Sequence, residues 1–370
     1  MIDNTEQLNE LISRGTIRVQ NSSLFSETPP PLPISFTYDK VEGMLLGLAI
    51  GDALGATSES IEPLKRFRLY GEIRDYLPGK RSDNRPVGIA TDDTQLSFFT
   101  LEQLIEDNGL VPDKLARKFC KNRILGIGNT TRSFIKNYKD KDIPWDKAGL
   151  DSRGNGALMR IAPIVLPYLR SPHSSLYADA ALDAMITHNN FANIASCVAF
   201  VYILWHLIGL TSPPKPTWWV DSFCDIACDL EGATCYEYTL LGYTGPLWKF
   251  TQEEVDKALK REIPVIEACN YWGSGADIFG TVPSVLYILA KYGHDPEEAI
   301  VRAVNDTFDN DTIACIVGAA VGALHGLSGI PERWVKRLTG RIREHGTGQV
   351  FRLVFHAKQI FWLASPSSAD

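Results

Sequence analysis

Seven cysteines and seven histidines are scattered through 370 residues, and nothing in their spacing forms a disulfide framework. An odd cysteine number in a long chain without paired spacing reads as a reduced, cytoplasmic protein. Cys224, Cys228 and Cys235 lie near one another but have no histidine beside them. Their i, i+4 spacing equally suits a buried helix, which weighs against zinc. Basic residues are in deficit: 37 Lys+Arg against 44 Asp+Glu leave a formal charge of −7. No basic cluster is long enough to track phosphates, so a nucleic-acid partner is disfavoured. The longest apolar run, Cys197 to Leu210, contains His206 and is too short to span a bilayer. No basic stretch followed by an apolar core opens the chain, so neither a signal peptide nor a membrane partner is expected. There is no GxxxxGK[ST] loop, no GxGxxG in a strand context, and no Ser-His-Asp or nucleophile-elbow signature.

Hydrophobic residues make up 45% of the chain, ample for a large core. Helical periodicity dominates and no βαβ alternation is visible, so the chain is expected to be all-α. Helices are expected near 94–107, 112–122, 129–138, 155–170, 175–187, 190–210, 251–260, 276–292, 295–305, 312–326 and 331–343, after a helical start from Asp39. Residues 1–36 differ. Leu8, Leu11 and Ile12 fall on one face of a short amphipathic helix, and Pro29, Pro30, Pro31 and Pro33 favour extended polyproline geometry. They are expected to form an arm loosely tethered to a domain spanning 37–370, in which 211–263 is an insertion.

Two acidic clusters carry the chemistry: Thr91-Asp92-Asp93-Thr94 and Asp309-Asn310-Asp311-Thr312. Each stands where an apolar helical stretch begins. An Asp or Thr at such a place is commonly an N-cap, but capping needs only one residue per helix. Four carboxylates brought together repel strongly unless a cation lies between them. Oxygen ligands without Cys or His favour Mg²⁺, Mn²⁺ or Ca²⁺ over Zn²⁺. Gly43, Gly47, Gly51 and Gly55 make a smooth helix face suited to close packing. The small-residue helix Ile313 to Leu327 is expected at the centre, holding Asp309 and Asp311 at its rigid N-terminal end. Asp52 is an acid in an apolar segment and needs partners or water. Glu59 follows closely and could join the metal site or be a solvated helix end.

Three further segments are candidates for substrate contact. Gly126-Ile127-Gly128-Asn129 and Gly154-Asn155-Gly156 are glycine turns expected just before helices, where bare amides attract anions. Trp272-Gly273-Ser274-Gly275 is a small-residue loop that could be flexible and line a pocket. His188, at a helix end, could reach a phosphate or a ribose hydroxyl. Each signal is weak alone, because glycine turns before helices are common and a lone histidine is more often structural.

Taken in order, GDALGATSE (51–59), TDDTQLSF (91–98), GIGNTT (126–131), GNGALMRIAP (154–163), TH (187–188) and DNDTIACIVGAAVGAL (309–324) resemble the ADP-ribosylglycohydrolase family. This family includes ADP-ribosylarginine hydrolases and dinitrogenase-reductase-activating glycohydrolases. The resemblance covers nearly everything from about residue 40 to 327. It implies an orthogonal all-α domain with two metals, Mg²⁺ or Mn²⁺, held by Thr91, Asp92, Asp93, Asp309, Asp311 and Thr312. It makes Asp309 or Glu59 the carboxylate that orients or deprotonates a water. Gly126, Gly128, Asn129, Gly154, Asn155, Gly156 and His188 then line the substrate. The implied activity is removal of ADP-ribose from arginine on a modified protein. Serine linkage and a catalytically silent binding module are the alternatives, and a metal phosphoesterase is a third class, distinguished by its product. Phe308-Asp309-Asn310-Asp311-Thr312 departs from the commoner Gly-Gly-Asp-Thr-Asp-Thr, which keeps the ligand positions but alters the loop. The arm resembles the extension of bacterial immunity members, in which an arm can plug an ADP-ribosyltransferase toxin.

Overall fold

Glycines at four-residue spacing fall on one helix face, and a face without Cβ atoms admits another backbone at contact distance. In the computed structural model, which describes residues 3–343 and 346–363, this is how the centre is built. Helix α2 (Asp39–Gly55) lies antiparallel along α15 (Asn310–His325). A Cβ on Gly43 would come within 2.5 Å of Gly322 O, one on Gly51 within 2.8 Å of Cys315 N, and one on Gly55 within 2.5 Å of Asp311 N. Both helices are buried over nearly their whole length.

The remaining elements wrap this pair. In chain order around α2 they are α1 (Thr5–Ser13), α3 (Pro63–Tyr70), α4 (Asp92–Asp107), α5 (Pro112–Lys121), α6 (Asn129–Ile135), α7 (Trp145–Ala148), α8 (Ser175–Thr187), α9 (Phe191–Gly209) and α10 (Pro216–Glu231). A hairpin of β1 (Tyr236–Tyr238) and β2 (Tyr243–Gly245) follows, paired antiparallel with Glu237 opposite Thr244. Then come α11 (Leu247–Lys260), α12 (Val265–Trp272), α13 (Ile278–Tyr292), α14 (Pro296–Asp306), α15, α16 (Glu332–Arg337) and α17 (Gln349–Lys358). The all-α expectation holds, with this hairpin the one named sheet among the described residues. Helices α14, α9 and α13 pack on α15. The segment expected as an insertion is α10, the hairpin and α11, and it packs on α9 and α13.

Several expectations need correction. Residues 155–170 are 3-10 turns at Leu158–Arg160 and Ala162–Tyr168, not an α-helix; Pro163 and Pro167 remove the amide donors an α-helix needs. The 331–343 helix stops at Arg337. Helices α3, α10, α12 and α17 were not anticipated. Helix α9 runs 19 residues, longer than its apolar run, so length alone does not separate it from a membrane span. Burial does, because 83% of its apolar window is inside the protein.

The arm is not loose. Residues Leu8 and Leu11 are buried at 0% and 5% exposure, and α1 packs on α8. Asn4 Nδ2 donates to Asp179 Oδ1 at 2.6 Å and to Leu110 O at 3.0 Å. Further along, Ile17, Val19, Leu24 and Phe25 are buried, Gln20 N donates to Leu230 O, and Trp205 Nε1 donates to Pro30 O at 2.9 Å. The apolar residues simply have a partner in this chain's own body. Residues 1 and 2 of the arm lie outside the described residues.

Candidate active site and metal centre

Because α2 and α15 are antiparallel, the end of α2 meets the start of α15. This delivers Asp52 and Glu59 to Asp309 and Asp311. Helix α4 brings Asp92 and Asp93 to the same place. Carboxylate oxygens of Asp52, Asp93 and Asp311 lie within 4.8 Å of one another, and so do those of Glu59, Asp309 and Asp311.

Simple capping does not account for these acids. Thr91 at the N-cap of α4 and Asp309 at the N-cap of α15 make no side-chain cap hydrogen bond. The cap of α4 comes from another helix. The Asp52 carboxylate accepts Thr91 N at 2.8 Å and Thr94 N at 3.1 Å, together with the hydroxyls of both threonines. Asp52 thus has the partners its burial requires, and Asp92 and Asp93 are left without a capping task. Asp93 Oδ1 is buried with no hydrogen-bond partner, a costly condition unless a ligand satisfies it.

Desolvation dominates the electrostatics. Burial, reinforced by the Asp52 charge, pushes Asp92 up to about 7. Asp93 and Asp311 are driven well above the usual carboxylate range by burial and by neighbouring carboxylates. Glu59 is exposed by area yet raised by partial desolvation and by the Asp309 charge, with Arg81 pulling the other way. Clustered, partly orphaned hard oxygens fit a divalent cation of the Mg²⁺ type. Thr91 Oγ1 sits 3.1 Å from Asp93 Oδ2, and the Thr312 hydroxyl interacts with both Asp93 and Asp309. All six residues expected as ligands therefore meet here, together with Asp52.

The glycine loops surround this centre. Gly126 has φ +81, and a Cβ there would come within 2.8 Å of Asp92 Oδ1; a side chain would be strained and obstructed at once. Gly128 precedes α6, but α6 is a single seven-residue helix, and the Asn129 side chain accepts from Arg132 at 3.1 Å. Thr130 and Ser152 hydroxyls meet at 2.7 Å and tie this loop to the next one. Asn155 is buried; its Nδ2 donates to Asp309 Oδ2 at 2.7 Å and to Thr281 Oγ1 at 3.0 Å. It holds a site carboxylate rather than offering a helix-end amide. Gly154 and Gly156 leave space for the His188 ring, which a Cβ on either would approach to 3.2 and 2.9 Å. His188 Nδ1 lies 2.8 Å from Thr187 Oγ1, and burial lowers its pKa to about 3, so the ring is neutral at pH 7. The 272–275 loop is tied down rather than flexible. Ser274 O accepts Asp309 N at 2.9 Å, and Ser274 Oγ accepts Phe308 N at 3.0 Å. Gly273 closes α12 at φ +72, and Gly275 borders open space.

Sequence reasoning missed the residues that shape the 304–311 turn. Arg66 is fully buried and donates to the carbonyls of Val304, Thr307 and Phe308. Asn310, where the family pattern has Thr, donates to Ser58 Oγ at 3.0 Å and Val304 O at 3.1 Å. It thereby secures the residue before Glu59. Neither role has a sequence signal, because both depend on carbonyls of a distant turn. Beside the glycine loops, Arg160 and Asp183 form a fully buried pair at 2.8 Å without hydrogen-bond alignment of the Asp183 oxygens. Arg160 also donates to Gly156 O and to Thr187 Oγ1. The three cysteines weighed for zinc are free, and the candidate metal groups among the described residues contain none of them.

The helix pair, the buried acidic centre and the glycine loops beside it come together as one candidate site in an all-α body, and comparison with known proteins gives it a family. The ADP-ribosylglycohydrolase model matches residues 34–359, and the chain belongs to that family. A solved structure titled "ADP-ribosylglycohydrolase-related protein complex" superposes with TM-score 0.65 at 26% identity, covering 87% of this chain and 97% of that one. The chain is 30% identical over 349 residues to ADP-ribosylarginine hydrolase Tri1 of Serratia proteamaculans, covering 91% of this chain and 83% of the relative. It is 26% identical over 321 residues to ADP-ribosyl-[dinitrogen reductase] glycohydrolase of Rhodospirillum rubrum, covering 86% and 96%.

Proposed function

We propose that the protein hydrolyses the N-glycosidic bond between ADP-ribose and an arginine of a modified protein, with a divalent cation, Mg²⁺ or Mn²⁺, at the acidic centre. The observation that carries the reading is the convergence of Glu59, Asp309 and Asp311 within 4.8 Å where α2 meets α15. Arginine is preferred to serine because two of the relatives named above carry that activity or act on dinitrogen reductase.

Asp93, Asp311 and Asp309, with Thr91, Thr312 and Asp92, would hold the metal, which when bound polarises substrate oxygens and eases ionisation of water. The chain's own residues do the rest. Asn155 fixes the Asp309 carboxylate through one charge-assisted hydrogen bond. Glu59 reaches the cluster from an exposed turn, its pKa raised by partial desolvation and the Asp309 charge, so it takes up a proton more readily than a free carboxylate and can pass one to or from water or the leaving nitrogen. The 126–131 and 152–156 loops, backed by a neutral His188, receive the ADP-ribose, while the Arg153 guanidinium within them is held by Asp277 and Glu237 O. Bond cleavage then gives free ADP-ribose and an intact arginine, with water supplying the new hydroxyl.

A silent binding module would have no use for so costly a cluster of buried acids. The toxin-plugging role expected of residues 1–36 relied on an apolar face that is already covered by α8. The test is incubation with ADP-ribosylarginine and ADP-ribosylserine substrates, with Mg²⁺ or with chelator, following ADP-ribose release. AMP as the product would point to a phosphoesterase, and faster serine cleavage would overturn the linkage.

A further inference from the structure

A cavity of about 460 Å³ opens on the flank of the acidic centre. Its lining includes Arg81, Arg123, Arg341 and Arg343, with Gln95 and Leu125. Four arginines gather here in a chain whose net charge is −7. The cavity is attached to the site from two sides. Leu125 directly precedes Gly126, which abuts Asp92, and Leu125 N donates to Gln95 Oε1 at 2.7 Å, one turn along α4 from Asp92. Gln95 Nε2 in turn donates to Ile342 O at 2.7 Å, fixing the 341–343 segment. Arg81 also lines a second cavity of about 230 Å³ with Ala56 and Thr57, and its charge is felt at Glu59.

Not all four arginines are engaged elsewhere. The Arg343 guanidinium binds Glu102 and Asn122 and lies 5.1 Å over the Phe99 ring. The side chains of Arg81 and Arg341 make no hydrogen bond or ion pair among the described residues. Arg81 and Arg341, without an ion-pair partner in contact, repel one another in this cavity, and planar guanidinium forks match carboxylates in particular. The exposed Arg81 stands at the rim, within reach of a macromolecular surface.

We propose that this cavity receives acidic side chains of the modified protein, next to the residue that bears ADP-ribose. The proposal rests on the hydrolase reading above and adds the chemistry by which the protein part of the substrate is recognised. The diphosphate is the competing anion. It is disfavoured because no residue of the 126–131 or 152–156 loops is among the described residues lining the cavity, whereas Arg81 at its rim is exposed. The cavity therefore flanks the side from which Glu59 reaches the centre.

The experiment uses synthetic peptides carrying one ADP-ribosylarginine flanked by Glu, Gly or Lys, and free ADP-ribosylarginine, all with the full-length protein in Mg²⁺. Wild type should cleave the Glu-flanked peptide with kcat/KM about tenfold above the Gly-flanked one, with the advantage fading as salt rises. R341E, which leaves the Arg81 charge near Glu59 in place, should abolish that preference and leave free ADP-ribosylarginine unchanged; R81E/R341E should reverse it, read as the ratio between the Glu- and Gly-flanked peptides. R81Q/R341Q should remove the preference without reversing it, and thermal melts identify any variant that has not folded. A wild type indifferent to the flanks overturns the proposal. So does a parallel loss on free ADP-ribosylarginine in R341E, which would assign the cavity to the diphosphate. If wild type releases no ADP-ribose from any substrate, the hydrolase reading fails. Fluorescence anisotropy of labelled Glu-flanked peptide then decides the docking alone: weaker binding by R81E/R341E supports it, and equal binding overturns it.

Discussion

Gly55 and Asp311 stand backbone to backbone: a Cβ on Gly55 would reach 2.5 Å from the Asp311 amide nitrogen. The end of α2 is therefore seated directly on the residue that contributes to both acidic groups. Gly55→Ala should push Asp311 out of place and cost about 1–3 kcal/mol of stability, as overpacking does. Chemical denaturation measures the stability, and the Mg²⁺-dependent shift in melting temperature measures the site. Full retention of both would mean that the helices separate freely here.

Asp311→Asn and Asp93→Asn remove a charge while keeping shape. Without metal, either variant should be at least as stable as wild type, because a repelling buried carboxylate is gone. With Mg²⁺, wild type should gain in melting temperature and the variants far less, and hydrolysis should be lost. Melts with EDTA and with Mg²⁺ test this; equal Mg²⁺ shifts in wild type and variants would remove the metal from the centre.

Glu59→Gln should lower kcat strongly while leaving the Mg²⁺-dependent melting shift nearly intact. Loss of the shift, with normal turnover per bound metal, would make Glu59 a ligand instead.

Asn155→Ala frees the Asp309 carboxylate from its 2.7 Å anchor. Turnover should drop about 10- to 100-fold, the usual cost of removing a group that orients a site ligand. Single-turnover kinetics at saturating substrate separate this from weaker binding, and an unchanged rate would show that Asp309 needs no orientation.

Asp179 lies far from the acidic centre and is pushed up to about 7 by burial, with Tyr168 and Asn4 hydrogen bonds opposing the rise. An acid whose folded pKa is raised holds its proton more tightly folded than unfolded. Its ionisation therefore makes stability fall as pH rises from about 4 to about 7, with a plateau above. Asp179→Asn should flatten that slope. Deleting residues 1–20 should also remove the Asn4 hydrogen bond and uncover α8, so that stability falls at every pH. Denaturation at pH 5, 6, 7 and 8 checks both; a truncation as stable as wild type would show that α1 contributes nothing to the body.

The close-packing face of α2 and the central place of α15 were readable because small residues at four-residue spacing have few other uses in a helix, though not that the two are each other's partner; the acidic clusters were readable because four Asp at two helix starts exceed any capping need. What stayed hidden were interactions between distant segments. Nothing local marks Asp52 as the cap of α4, or Arg66 as the collector of carbonyls from the 304–308 turn. The arm was misjudged for the same reason. Its amphipathic face is plain in the sequence, but whether that face meets another protein or α8 depends on residues some 170 positions away, such as Asp179 for Asn4. The 155–170 helix failed on a local rule, because Pro163 and Pro167 interrupt the amide ladder.

The pairing of α2 with α15 joins the beginning of the domain to nearly its end. During synthesis, α2 leaves the ribosome with a bare, glycine-lined apolar face and must wait for most of the chain before its mate exists. Contacts of such long sequence separation form late, and the waiting segment is a target for mispairing. In the nascent chain the acidic centre can assemble only in part: Asp52, Thr91 and Asp93 come from its first third, and Asp309 and Asp311 join them only when α15 slides into place. Chaperone demand should accordingly track the delay between residues 55 and 325, and fragments ending before α15 should neither bind metal nor remain soluble.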